Sequence, residues 1–175
     1  MEKNEDSDTW NYKGNALGKL EKYEEAIACY DEAIQLDPEN LSAWYNKGVA
    51  LAKLERDKES IVCFDEAIRL DPPKSDEWVS RGVALYKQEK YEEAISCYDE
   101  AIKLNPEYLD ALNNKGVALY KQEKYEEAIS CYDEAIKLNP EDSDVRYGKG
   151  YALKKLGRDE EAEQCFAKAK ELEES

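Results

Sequence analysis

Pro38, Pro72, Pro106 and Pro140 stand 34 residues apart, and much of the remaining chain keeps the same step. Glycine recurs at 14, 48, 82, 116 and 150, alanine at 33, 67, 101, 135 and 169. An aromatic ring recurs at Tyr30, Phe64, Tyr98, Tyr132 and Phe166. Residues 82–107 and 116–141 are identical, the mark of a copied block. A period between 20 and 50 residues constrains the fold more than any composition can. It specifies a stack of units, each burying its apolar face only against its neighbours.

Within each unit the pattern is helical. "DTWNYKGNALGKL" and "YEEAIACYDEAIQL" place apolar residues three and four apart, the spacing of one helix face. A short polar break such as "EK" or "RD" separates them. Asp8, Ser42, Asp76, Asp110 and Asp144 are placed to open each first helix, where a short polar side chain complements the dipole. The Asp-Pro or Asn-Pro pair ends each second helix, because the residue before proline is pushed out of helical geometry. An all-α chain of five antiparallel helix pairs follows. The units are 7–40, 41–74, 75–108, 109–142 and 143–175, one domain behind an acidic leader, 1–6.

This pattern resembles the tetratricopeptide repeat family, whose units carry a tryptophan, a leucine-glycine pair, then spaced alanine, aromatic, alanine and proline. Unit one offers Trp10, Lys13-Gly14, Leu17, Ala26, Tyr30, Ala33 and Pro38 in that order. The resemblance implies a right-handed superhelical solenoid whose concave face is lined mostly by first helices. The departures are local. The residue before the repeated glycine is basic in every unit (Lys13, Lys47, Arg81, Lys115, Lys149), which predicts a packed stem with its charge in water. Ser60 replaces a packing alanine and Arg146 replaces a tryptophan or leucine, so both predict looser packing. In the last unit Glu163 and Lys170 replace recurrent isoleucines, giving the final helix a water-facing side.

Several function classes drop out. The chain has no histidine, which removes histidine metal sites, catalytic triads and the commonest general base. No phosphate loop or dinucleotide fingerprint is present. A formal net charge of −16 opposes binding to a phosphate backbone. No apolar run is long enough for a membrane helix, and the N-terminus lacks the apolar core of a secretory signal. A cytoplasmic, non-catalytic protein without cofactor or metal is expected. Cys29, Cys63, Cys97, Cys131 and Cys165 occupy one helical position in each unit. Equivalent positions on stacked helices lie about 10 Å apart, too far for a disulfide, so these are read as small buried hydrophobes in a reducing compartment.

Function should lie on the first-helix face that packing does not need. Its expected floor is Asn11, Tyr12 and Asn15 in unit one, then Tyr45, Asn46 and Val49 in unit two. Unit three adds Val79, Val83 and Tyr86, unit four Asn113, Asn114, Val117 and Tyr120, and unit five Tyr147 and Tyr151. The rim is a lysine row, Lys19, Lys53, Lys87, Lys121 and Lys155. Helix-dipole complementarity is the competing account of the two charged rows. Aromatic, aliphatic and amide side chains together suit an extended peptide or a partner helix, and the lysines favour an acidic one. The family's carboxylate clamp is matched only at Asn15 and Asn46; Asn11, Asp76 and Ser80 stand where it needs basic residues. A protein or peptide partner and a monomer are expected. The competing reading is a structural scaffold whose arrays self-associate into homo-oligomers.

Overall fold

A computed structural model describes residues 6–70 and 74–174. Pro72, residues 1–5 of the acidic leader and the final residue of the fifth repeat lie outside the described residues. The described residues form ten α-helices and no strand. These are α1 (Ser7–Lys19), α2 (Tyr23–Leu36), α3 (Leu41–Lys53), α4 (Asp57–Leu70) and α5 (Ser75–Lys87), then α6 (Tyr91–Leu104), α7 (Leu109–Lys121), α8 (Tyr125–Leu138), α9 (Ser143–Lys155) and α10 (Asp159–Glu173). They fall into two compact units, Met1–Gln88 and Glu89–Ser175, divided in the turn between α5 and α6.

The helix boundaries follow local chemistry. Asp37, Asn105 and Asn139 leave the second helices in extended geometry, as their prolines require. Each side-chain oxygen then accepts from the N–H two residues on, at Glu39, Glu107 and Glu141. The side-chain caps of the first helices are Asp6, Asn40 and Asp142, so Asp8 and Asp144 sit inside the first turn. Asn40 also ties two repeats together. Its oxygen accepts from Ala43 N–H, while its Nδ2 donates to Ser7 Oγ at 2.8 Å, and Ser7 in turn donates to the Ala33 carbonyl. Lys74 and Tyr108 cap the third and fourth first helices without a side-chain bond.

The turn between the helices of a pair passes through a left-handed residue. Glu21, Glu55, Glu89 and Glu123 have φ near +60°, and Gly157 does so in the last repeat. This single residue reverses the chain and lets Lys22, Arg56, Lys124 and Arg158 return their N–H to a carbonyl of the finished helix.

Packing explains the conserved period of glycine and ring. A Cβ on Gly48 would meet the Phe64 ring at 2.7 Å, and one on Gly116 would meet Tyr132 at 2.7 Å. The first helix can lie against the second only because that side chain is missing. In the first unit Ala26, Ile27, Tyr30, Ala50, Leu51 and Cys63 form a buried cluster; in the second, Leu112, Leu119, Ile129, Tyr132, Val145 and Leu153 do. Truncating such a ring to alanine costs about 3–5 kcal/mol. Within each unit α1 touches α3, α3 touches α5 and α7 touches α9. Within each unit no second helix touches another second helix among the described residues. First helices are therefore the more crowded row, and they form the inner side of the curve in each unit.

Glu163 and Lys170 are exposed on α10, as their polarity requires. Two readings need correction. The basic residues before the repeated glycine do not leave their charge in water: Lys47, Arg81, Lys115 and Lys149 pair with Asp31, Asp65, Asp99 and Asp133 of the preceding repeat at 2.5–2.7 Å. Arg146 does not loosen its repeat. Its guanidinium donates twice to the Pro140 carbonyl, the bond that Trp44 Nε1 makes to Pro38 at the same position three repeats earlier. Ser60 has no solvent exposure, and its hydroxyl has no hydrogen-bond partner among the described residues.

Candidate functional site

On the inner face of the first unit, the polar floor is partly spent on itself. Asn46 Nδ2 donates to Asn11 Oδ1 at 3.0 Å, joining α3 to α1, and Asn11 is buried. Tyr30 donates its hydroxyl to Asn15 Oδ1 at 2.9 Å. Burial pushes that phenol up to about 12, so it stays a donor at neutral pH. Tyr45 shares a 3.2 Å hydrogen bond with Ser80, joining α3 to α5, and its ring lies 5.7 Å from that of Phe64. Val79 is only 8% exposed and belongs to the core as much as to the face. Val49, Val83 and Tyr86 are half-buried, and burial raises the Tyr86 phenol. Lys53 and Lys87 are exposed, with Lys87 4.0 Å from Asp57.

A cavity of about 620 Å³ opens between α1, α2 and α3. Tyr12, Asn15, Asn46, Val49 and Lys53 from the predicted set line it, together with Lys19 of the lysine row. Tyr12 is 72% exposed at its mouth. Sequence reasoning missed Ala16, Gly18, Tyr23, Tyr30 and Ala50, which complete the wall. The signal was one column of the repeat alignment: Gly18, Ala52, Tyr86 and Tyr120 share a position, and the cavity opens where that column is smallest. A Cβ on Gly18 would meet nothing closer than the Tyr30 hydroxyl at 3.6 Å.

In the second unit the same column is filled. Tyr120 packs edge-on against Tyr125 with ring centroids 5.4 Å apart. Asn113, Asn114 and Val117 are half-buried beside it, and Lys121 and Lys155 are exposed. Tyr147 donates to Glu173 at 3.1 Å; loss of water, then that carboxylate, raises its phenol. Tyr151 is exposed and lies 5.2 Å from the Phe166 ring.

The cysteines are free thiols. Four are buried and Cys165 is half-buried. Burial pushes Cys63 and Cys131 up to about 11, which leaves them protonated and poor nucleophiles at neutral pH. Among the described residues no three His, Cys, Asp or Glu side chains are grouped to hold a metal ion. No described helix is long and apolar enough to cross a membrane.

A family model described as TPR repeat matches residues 14–55 and 82–123. Two described as tetratricopeptide repeat match 42–73 with 109–142, and 131–164. Among solved structures, MamA is 24% identical with a TM-score of 0.89, covering 92% of this chain and 94% of its own. A MamA fragment from Desulfovibrio magneticus RS-1 is 22% identical with a TM-score of 0.91, covering 96% and 95%. YrrB, described as a TPR protein with an unusual peptide-binding site, is 26% identical with a TM-score of 0.84, covering 95% and 86%. Comparison with curated protein sequences gives no match.

Proposed function

This chain belongs to the tetratricopeptide repeat family, and on that premise we propose that it is a non-catalytic interaction module binding an extended peptide or partner helix along its first-helix faces. The cavity between α1, α2 and α3 carries this reading. It is walled mostly by apolar and aromatic groups, with two amides and two lysines at its edge, the mixture that fixes a peptide by pockets and orients it by a few polar contacts. Asn15 keeps both amide protons for a ligand backbone, because Tyr30 uses only its oxygen. In this reading residues 7–175 work as one repeat domain, in the cytoplasm, and the remaining predicted side chains extend the contact surface on each face.

The test is selection from a random peptide library against the wild-type chain and a variant that also alters the cavity, carrying Tyr12→Ala, Lys53→Glu, Tyr86→Ala, Tyr120→Ala, Lys87→Glu and Lys121→Glu. Peptides that bind wild type should lose at least tenfold affinity for the variant, with its helicity unchanged by circular dichroism. Equal binding by both moves the site to the acidic second helices or the loops. No binding by either favours a self-associating scaffold, which light scattering would report as a mass above 20.1 kDa.

A further inference from the structure

We propose that the cavity in the first unit receives one aromatic side chain from an acidic protein segment. The inference rests on the peptide-binding reading and assigns its ligand chemistry. The other repeats show what the chain itself puts at the same positions.

Gly18 stands 102 residues, three repeats, before Tyr120, and Tyr23 stands the same distance before Tyr125. In the second unit the Tyr120 ring packs edge-on against Tyr125, at 5.4 Å between centroids and 63° between planes. In the first unit Gly18 offers no ring, so Tyr23 borders an open cavity instead. A ligand ring entering there would restore an aromatic contact that is worth about 0.5–1.5 kcal/mol beyond its buried area. Val49 and the exposed Tyr12 supply the remaining apolar wall.

The rim of the cavity is positively charged. Lys19 and Lys53 close α1 and α3 at its rim, both are exposed, and neither forms an ion pair with a described residue. No carboxylate lines the cavity. One repeat further on, the chain supplies its own anion: Asp57 lies 4.0 Å from Lys87. Asp57 occupies the register of Tyr23, and Lys87 that of Lys53. The first cavity therefore has neither the ring that Tyr120 supplies in the second unit nor a carboxylate beside its lysines such as Asp57 gives Lys87, since Tyr23 stands where the next repeat has Asp57. A segment with an aromatic residue flanked by aspartate or glutamate supplies both at once.

A fluorescein-labelled peptide with one phenylalanine between two pairs of aspartates would be titrated by anisotropy against the full chain. It should bind wild type, and replacing its phenylalanine with alanine should weaken it at least tenfold. Gly18→Tyr, which puts the chain's own ring in the cavity, should weaken the phenylalanine peptide at least tenfold and leave the two peptides indistinguishable. Lys19→Glu with Lys53→Glu, both on the surface, should weaken the phenylalanine peptide at least tenfold without disturbing the fold. The inference is overturned if the peptide does not bind wild type, if the alanine peptide binds as well, or if a folded Gly18→Tyr chain binds unchanged. Library peptides that are lost on changing Tyr86, Tyr120, Lys87 and Lys121 but survive Gly18→Tyr would leave the groove reading standing and remove this one.

Discussion

Ser60 occupies the position that the other repeats give to Ala26, Ala94, Ala128 and Ala162, and like them it is sealed from solvent. Its hydroxyl has been taken out of water and meets no acceptor, which costs about 1–3 kcal/mol. Ser60→Ala should therefore stabilise the chain, by about 1 kcal/mol after the loss of hydroxyl contacts, read as a higher urea midpoint at unchanged slope. A lower midpoint would mean that the hydroxyl has a partner in solution. The sequence marks Ser60 as a departure, yet composition cannot say whether a departure loosens a site or strands a polar atom. Arg146 makes the complementary case. It breaks the tryptophan column but keeps its bond to a proline carbonyl, because guanidinium and indole both present an N–H at the end of a long flat group.

At the level of the helix pair, the turn carries the strain. Glutamates at 21, 55, 89 and 123 hold a left-handed backbone that costs an L-residue about 1–2 kcal/mol, whereas Gly157 holds it freely. Glu123→Gly should accordingly stabilise by about 0.5–1 kcal/mol, and Gly157→Ala should destabilise by about 1 kcal/mol although nothing lies within 4 Å of its Cβ. Thermal melts of both variants check the pair, and equal melting points would refute the strain. The helices themselves were readable from spacing, since a three-and-four apolar pattern admits little else over 13 or 14 residues. Their caps were not. The aspartate column at 8, 110 and 144 is the regular one, while the residues that actually cap, Asp6, Asn40 and Asp142, vary from unit to unit and hide in the loop.

For the whole molecule the relevant quantity is charge. The chain carries −16, and the first-helix segments are slightly positive while the second helices and loops hold the acid excess. Self-repulsion among those acids is screened over about 10 Å at 0.1 M salt. Raising sodium chloride from about 0.02 to 0.5 M, where the screening length falls severalfold, should therefore raise the melting temperature by a few degrees. The same change should weaken an acidic peptide held by Lys19 and Lys53, so stability and binding move in opposite directions. A melting temperature that falls with salt would show that the cross-repeat ion pairs outweigh repulsion. Five of the cavity's lining residues, Tyr12, Asn15, Asn46, Val49 and Lys53, were legible as columns of the repeat. What escaped was the cavity, because a void is defined by the side chain that Gly18 does not have and by the turn of α2 that brings Tyr23 beneath it.

The ion pairs between repeats have one more consequence, for the history and engineering of the chain. Lys47–Asp31, Arg81–Asp65, Lys115–Asp99 and Lys149–Asp133 are the same fitting at successive joints, always sixteen residues apart. Each of the first four blocks presents an aspartate plug on one side and a cationic socket on the other, and the fifth has Ala167 in place of the plug. Excising or splicing in any of those four blocks of 34 residues therefore leaves a joint with matching parts, which makes them interchangeable in the manner of coupled rail cars, and length the cheapest thing about the array to change.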